Sequence, residues 1–197
     1  MLINSLRFFV AIQFLILHID ILCEKVPKYT LLNHAQRKLE ENDNYIIIIY
    51  RIKITYEANE FTKIESRKQI QYILYEDKEL DLSRKFIIDA NTTIKIFFSE
   101  PIKSLNSFFS ANLDLKVLSI KLIDLSHFDS SLLENTEYLF AGCYLLEEIN
   151  FDNFKTLKVT TMYQMFQGCA NLKALNLSNF DTSNVWNMNL MFEYCDS

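Results

Sequence analysis

The sequence predicts an α/β chain: a solenoid of 26-residue strand–turn–short helix repeats, preceded by a small antiparallel β-rich capping unit. Three observations carry the prediction. From about Ile120 onward one pattern recurs every 26 residues, in Phe128/Phe154/Phe180, in Phe140/Phe166/Phe192 and in Cys143/Cys169/Cys195. The chain has two glycines, Gly142 and Gly168, and they stand one period apart. Upstream, between about residues 45 and 98, short runs of β-branched and aromatic residues alternate with polar ones.

Taken in order, residues 1–23 read as a secretory signal. Arg7 gives the positive start, Phe8 to Leu17 the apolar run, and His18 and Asp20 interrupt it before it could span a membrane. An uncleaved anchor or a lipid-modified Cys23 is the alternative. Residues 24–100 form the β-rich unit. Thr30 caps a short amphipathic helix through Leu39. Tyr45–Tyr56 is a strand whose first part, Ile46 to Ile49, should be buried on both faces. Ile70, Tyr72 and Leu74 alternate as a second strand, and Glu76 to Glu79 turns the chain. Phe86–Ile88 and Ile94–Phe98 flank Asp89–Thr92 as a hairpin. Pro101 marks the join to the repeats at 101–197, the last of them incomplete. Leu105 to Phe109 is a degenerate first copy, with Asp114 where an apolar residue would belong.

In the copy from Asn171 to Cys195, Leu175 and Leu177 point inward from a short strand and Asn176 and Ser178 outward. Asp181–Asn184 is a turn or helix start. Val185, Met188, Met191 and Phe192 then fall at i, i+3, i+6 and i+7, the spacing of one apolar helical stripe. Val159, Met162, Met165 and Phe166 repeat it.

The stretch Leu172 to Val185, preceded by Met165-Phe166-Gln167-Gly168-Cys169, carries the signature M-F-x-x-C-x-x-L-x-x-L-x-L-S-x-F-D-T-S. It resembles the BspA-like leucine-rich repeat of surface proteins in mycoplasmas, other bacteria and protists. The resemblance covers about residues 105–197. The copy from Ile120 to Cys143 departs from it at Asn135, Thr136 and Leu139. It implies a leucine-rich-repeat-type fold, a secreted or cell-surface location, a role in adhesion, and no catalytic residues.

Net charge −5 offers no basic patch, so no nucleic-acid partner is expected. Two glycines leave no room for a phosphate-cradling loop. His127 lies near Asp129 and Ser130, but Asn153 and Asn179 replace it in later copies, which reads as repeat variation. Glu147 and Glu148 read as a solvated pair. Neither an enzyme nor a cofactor is expected, and 26-residue spacing argues against a metal centre. Cys143, Cys169 and Cys195 are expected as a buried thiol ladder beside Phe140, Phe166 and Phe192, with disulfide pairing the competing reading.

The candidate binding face is the outward strand surface, Asp124/Asn150/Asn176 beside Ser126/Asp152/Ser178; a merely solvated face competes with it. Asn91 and Asn176 head N-glycosylation triplets. The expected partner is an extracellular protein or glycan, with self-association through an uncapped C-terminal end as a further expectation. The alternative function is a structural spacer, or a fragment of a longer surface array without its own ligand.

Overall fold

The computed structural model describes residues 44–51, 53–57, 67, 69–111 and 118–195. The signal at 1–23, the helix from Thr30 and Asp114 lie outside the described residues. Eight strands are β1 (Tyr45–Tyr50), β2 (Ile54–Tyr56), β3 (Ile70–Tyr75), β4 (Lys78–Glu79), β5 (Phe86–Ile88), β6 (Thr93–Phe98), β7 (Ile120–Asp124) and β8 (Glu148–Asn150). Six of them form one sheet in the order β4-β3-β6-β1-β7-β8, while β2 and β5 pair separately. Every pairing is antiparallel except β7 with β8, so the large sheet is mixed.

β1 is central because its isoleucines suit a pleated surface with neighbours on both edges. Ile48 stands opposite Ile94 of β6 and Ile123 of β7. Ile46, Ile48 and Tyr50 are fully buried. Ile47 and Ile49 are half-buried, so the strand is not equally covered on its two faces as expected. The expected continuous strand to Tyr56 breaks at Arg51, whose guanidinium turns to pair with Glu147. Between β3 and β4, Glu76 and Asp77 both take positive φ (48° and 60°), the two-residue turn whose twist suits a hairpin.

The expected hairpin of Phe86–Ile88 with Ile94–Phe98 does not form. β6 buries Ile94, Ile96, Phe97 and Phe98 between β1 and β3, whereas β5 pairs with β2 through Ile54↔Ile88 and Tyr56↔Phe86. Two long apolar neighbours outweigh one short adjacent strand.

The larger correction concerns the repeats. The α/β leucine-rich-repeat-type solenoid with a short helix per copy is not what the described residues form. They are nearly all β and turn, and no α-helix occurs among them. The segments expected as helices contain left-handed residues, Tyr138, Gln164 and Leu190 (φ 54°, 52° and 57°), followed by Gly142, Gly168 and Tyr194 (φ 77°, 71° and 59°). A right-handed helix cannot pass through such residues. The N–H groups a helix would bond within itself reach instead to the next copy: Tyr138 to the Tyr163 carbonyl at 2.9 Å, Phe140 to Met165 at 2.9 Å, Gly142 to Gln167 at 2.7 Å. Gln164, Phe166 and Gly168 donate likewise to Asn189, Met191 and Glu193. Val159, Met162, Met165 and Phe166 are nonetheless all fully buried, brought to one side by consecutive turns and not by a helix.

Candidate functional site

Successive copies meet in parallel. Leu122, Ile123 and Asp124 stand opposite Glu148, Ile149 and Asn150, Ala174 bridges Glu148, and Ser104, Asn135, Thr161 and Asn187 form a second row of bridges. Neighbouring copies therefore sit about 4.8 Å apart along both rows. This register places the predicted face. Asp124 and Asn150 close β7 and β8, and Asn176 follows the Ala174 bridge.

Each residue of this inner column folds its side chain back on its own chain. Asp124 Oδ1 accepts from the Ser126 N–H at 2.8 Å, Asn150 Oδ1 from Asp152 at 2.9 Å and Asn176 Oδ1 from Ser178 at 3.0 Å. These are Asx turns, which let a carboxylate or amide satisfy the backbone where a strand must bend. The same device recurs at Asn135 for Glu137, at Asp129 for Ser131 and at Asp181 for Ser183. The Ser183 hydroxyl, then its backbone N–H, hold the Asp181 carboxyl below the usual carboxylate range. The outer column keeps its side chains outward: Ser126 is half-buried, Asp152 and Ser178 exposed. Asn91 is exposed in its turn with φ 59°, and Asn176 is also exposed.

The interior of the copies is a column of rings. Phe109, Phe140, Phe166 and Phe192 stack with centroids 5.8, 5.5 and 5.4 Å apart and planes within 14° of parallel. Beside it the thiols of Cys143, Cys169 and Cys195 donate to the carbonyls of Phe109, Phe140 and Phe166 at 3.1, 3.3 and 3.0 Å. All three cysteines are free. Burial, reinforced by Cys169, pushes the Cys143 thiol well up, and burial, reinforced by Cys195, does the same to Cys169. The thiolate is the reactive form. Alkylation of the native chain is therefore expected to modify Cys195, which is half-buried, and to spare Cys143 and Cys169 until denaturant is added. Peptide mass mapping reads the order, and equal native rates at all three would contradict this packing.

His127 lies flat against Tyr45, centroids 4.5 Å apart, while Asn153 and Asn179 send their amides to the carbonyls of Ser126 and Phe151 in the copy before. That column ties copies together. Glu147 is the residue the sequence reading missed. It is not solvated: it pairs with Arg51 and, at 2.7 Å, with Lys173, leaving its side chain 18% exposed. A signal existed, because Lys121, Glu147 and Lys173 occupy one column of alternating charge. Among the described residues, no group of three His, Cys, Asp or Glu side chains is placed to hold a metal ion.

No curated protein and no solved structure matches this chain. A family model described as "Mycoplasma protein of unknown function, DUF285", a surface-protein-type domain, matches residues 91–197. The match takes in 107 of the 197 residues (197 − 91 + 1), every repeat copy and the last strand of the β unit. The chain belongs to the DUF285 family.

Proposed function

We propose that this chain is a non-catalytic, BspA-like module of a secreted or surface-displayed protein, and that it binds an extracellular protein or glycan in adhesion. The observation that carries the reading is the parallel register of β7, β8 and the Ala174 bridge, which lines up Ser126, Asp152 and Ser178 across three successive copies. An even row of small polar groups at strand spacing suits an extended partner, which can meet it with one hydrogen bond per copy. Membership in a family of surface-protein-type domains supports the location.

A second reading has its own observation. The inner column, Asp124, Asn150 and Asn176, already has a side-chain oxygen engaged in a turn. That is what a spacer needs and a ligand site does not. The two readings part on one experiment. The full chain is tested against immobilised glycans and surface proteins, beside a variant carrying Asp152→Lys and Ser178→Lys. Both positions are exposed, so the variant keeps its melting temperature. Binding by the wild type that falls about tenfold or more in the variant supports the binding module. No binding by the wild type, or equal binding by both, overturns it and leaves the spacer.

A further inference from the structure

β3 pairs with β6 through Leu74↔Lys95 and Tyr75↔Ile94, so the Glu76–Asp77 turn that ends β3 lies beside the loop through Asn91 that leads into β6. Between turn and loop is an open cleft of about 470 Å³, within the ~300–1,000 Å³ of small-molecule sites. Leu74, fully buried, is its floor. Lys95 on the facing strand and Thr93 two residues before it share that side of the sheet. The polar groups here are not taken up by the fold. Asp124, Asn150 and Asn176 each turn a side-chain oxygen onto their own backbone. In the cleft, by contrast, the Glu76 carboxylate, the Asn91 amide and the Thr93 hydroxyl have no hydrogen-bond partner among the described residues. The Thr92 hydroxyl donates to the Asp89 carbonyl at 2.6 Å. Lys95 Nζ stands 3.7 Å from Asp77 Oδ1, an ion pair too long for a direct hydrogen bond, so the ammonium keeps its donors for a third group.

We propose that this cleft binds one neutral sugar unit, a hexose or an N-acetylhexosamine, free or at the end of a glycan. The lining charges choose the class. Glu76 and Asp77 outnumber Lys95, so an anion is repelled. The Lys95 ammonium beside Asp77 stands where a cation would have to sit, so a cation is disfavoured too. What fits is a neutral molecule that accepts from Lys95 and the Asn91 amide and donates to the two carboxylates. A sugar does both through adjacent hydroxyls, and its C–H face can rest on Leu74. The cleft is separate from the strand face carrying Asp152 and Ser178, so either proposal stands if the other fails.

The test titrates the full chain with glucose and with N-acetylglucosamine up to about 10 mM, where weak binding registers, and follows its backbone amides by NMR. The chain is made in bacteria, because a glycan attached to Asn91 would crowd the cleft. Sialic acid and calcium ion serve as the anionic and cationic comparators. At least one sugar is expected to shift the amides of residues 74–77 and 91–95 saturably, and more than either comparator does. Glu76→Gln with Asp77→Asn, both exposed, keeps the melting temperature and weakens that binding about tenfold, through the loss of charge-assisted hydrogen bonds. Asp152→Lys with Ser178→Lys leaves it unchanged. A trisaccharide that binds tenfold tighter than the single sugar marks a glycan end as the ligand, and equal affinity marks the free sugar. No saturable shift with either sugar, shifts centred on Asp152 and Ser178, undiminished binding by the Glu76→Gln, Asp77→Asn chain, or a stronger response to sialic acid or calcium overturns the proposal.

Discussion

Replacing Phe166 with alanine is expected to destabilise the fold by about 3–5 kcal/mol, the range for removing a fully enclosed phenylalanine. Phe166 is completely buried. Its ring lies between Phe140 at 5.5 Å and Phe192 at 5.4 Å, with Phe151 against it edge-on at 6.1 Å. Its N–H and carbonyl also tie it to the following copy, through Met191 and the Cys195 thiol, so a collapse of the ring's space would strain those bonds. The cavity cannot close cheaply. Phe192→Ala is the internal control. It belongs to the same column, but it is 49% exposed and has the Phe166 ring on one face only. About 1 kcal/mol is expected there, from partial burial and one aromatic contact. Urea unfolding of both variants reads the difference. If the two substitutions cost the same, enclosure within the column is not what makes the phenylalanines stabilising.

How much of this was legible in the sequence follows from where each piece of information resides. The period was visible because Phe140, Phe166 and Phe192 occupy equivalent places and side-chain identity repeats with place. Backbone direction was not. Tyr138, Gln164 and Leu190 adopt left-handed φ without being glycine or asparagine, so no residue type announces the conformation that forbids a helix. Their Val159/Met162/Met165/Phe166 spacing is compatible with a helix and with a run of turns alike. What decides between them is the neighbouring copy, which supplies acceptors at Tyr163, Met165 and Gln167 in place of intrahelical carbonyls. The failed hairpin has the same origin: Asp89–Thr92 does reverse the chain, yet β1 and β3 offer β6 more apolar edge than β5 can. Alternation marks the candidate face in the sequence, whereas the turns that Asp124, Asn150 and Asn176 make on their own backbone depend on where each strand ends. Strand ends are the part of a sequence pattern that periodicity leaves least defined.

Gly142→Ala is expected to cost about 2–4 kcal/mol, and Gly168→Ala only about 1–2 kcal/mol, although both glycines have the same φ and stand in one column. The shared part is left-handed backbone, φ 77° and 71°, which penalises any side chain. The difference lies in the copy beneath. A Cβ at Gly142 would sit 2.9 Å from the Cβ of Ala111, closer than two such atoms can approach, and Ala111 has no rotamer with which to yield. A Cβ at Gly168 would meet the Cα of Gly142 at 3.5 Å and its N and the Tyr144 ring at 3.7 Å, all ordinary contacts. Tyr194 occupies the third place in this column with φ 59°, which shows that the backbone accepts an L-residue where space allows. Ala111→Gly in the Gly142→Ala background should therefore recover the excess and leave the shared cost behind. Denaturation midpoints of the four variants supply the comparison. Equal losses for the two glycines, or no recovery with Ala111→Gly, would place the penalty in the backbone alone. The expected result instead makes the close approach of copies at Ala111 and Gly142 the reason that this column needs glycine at residue 142.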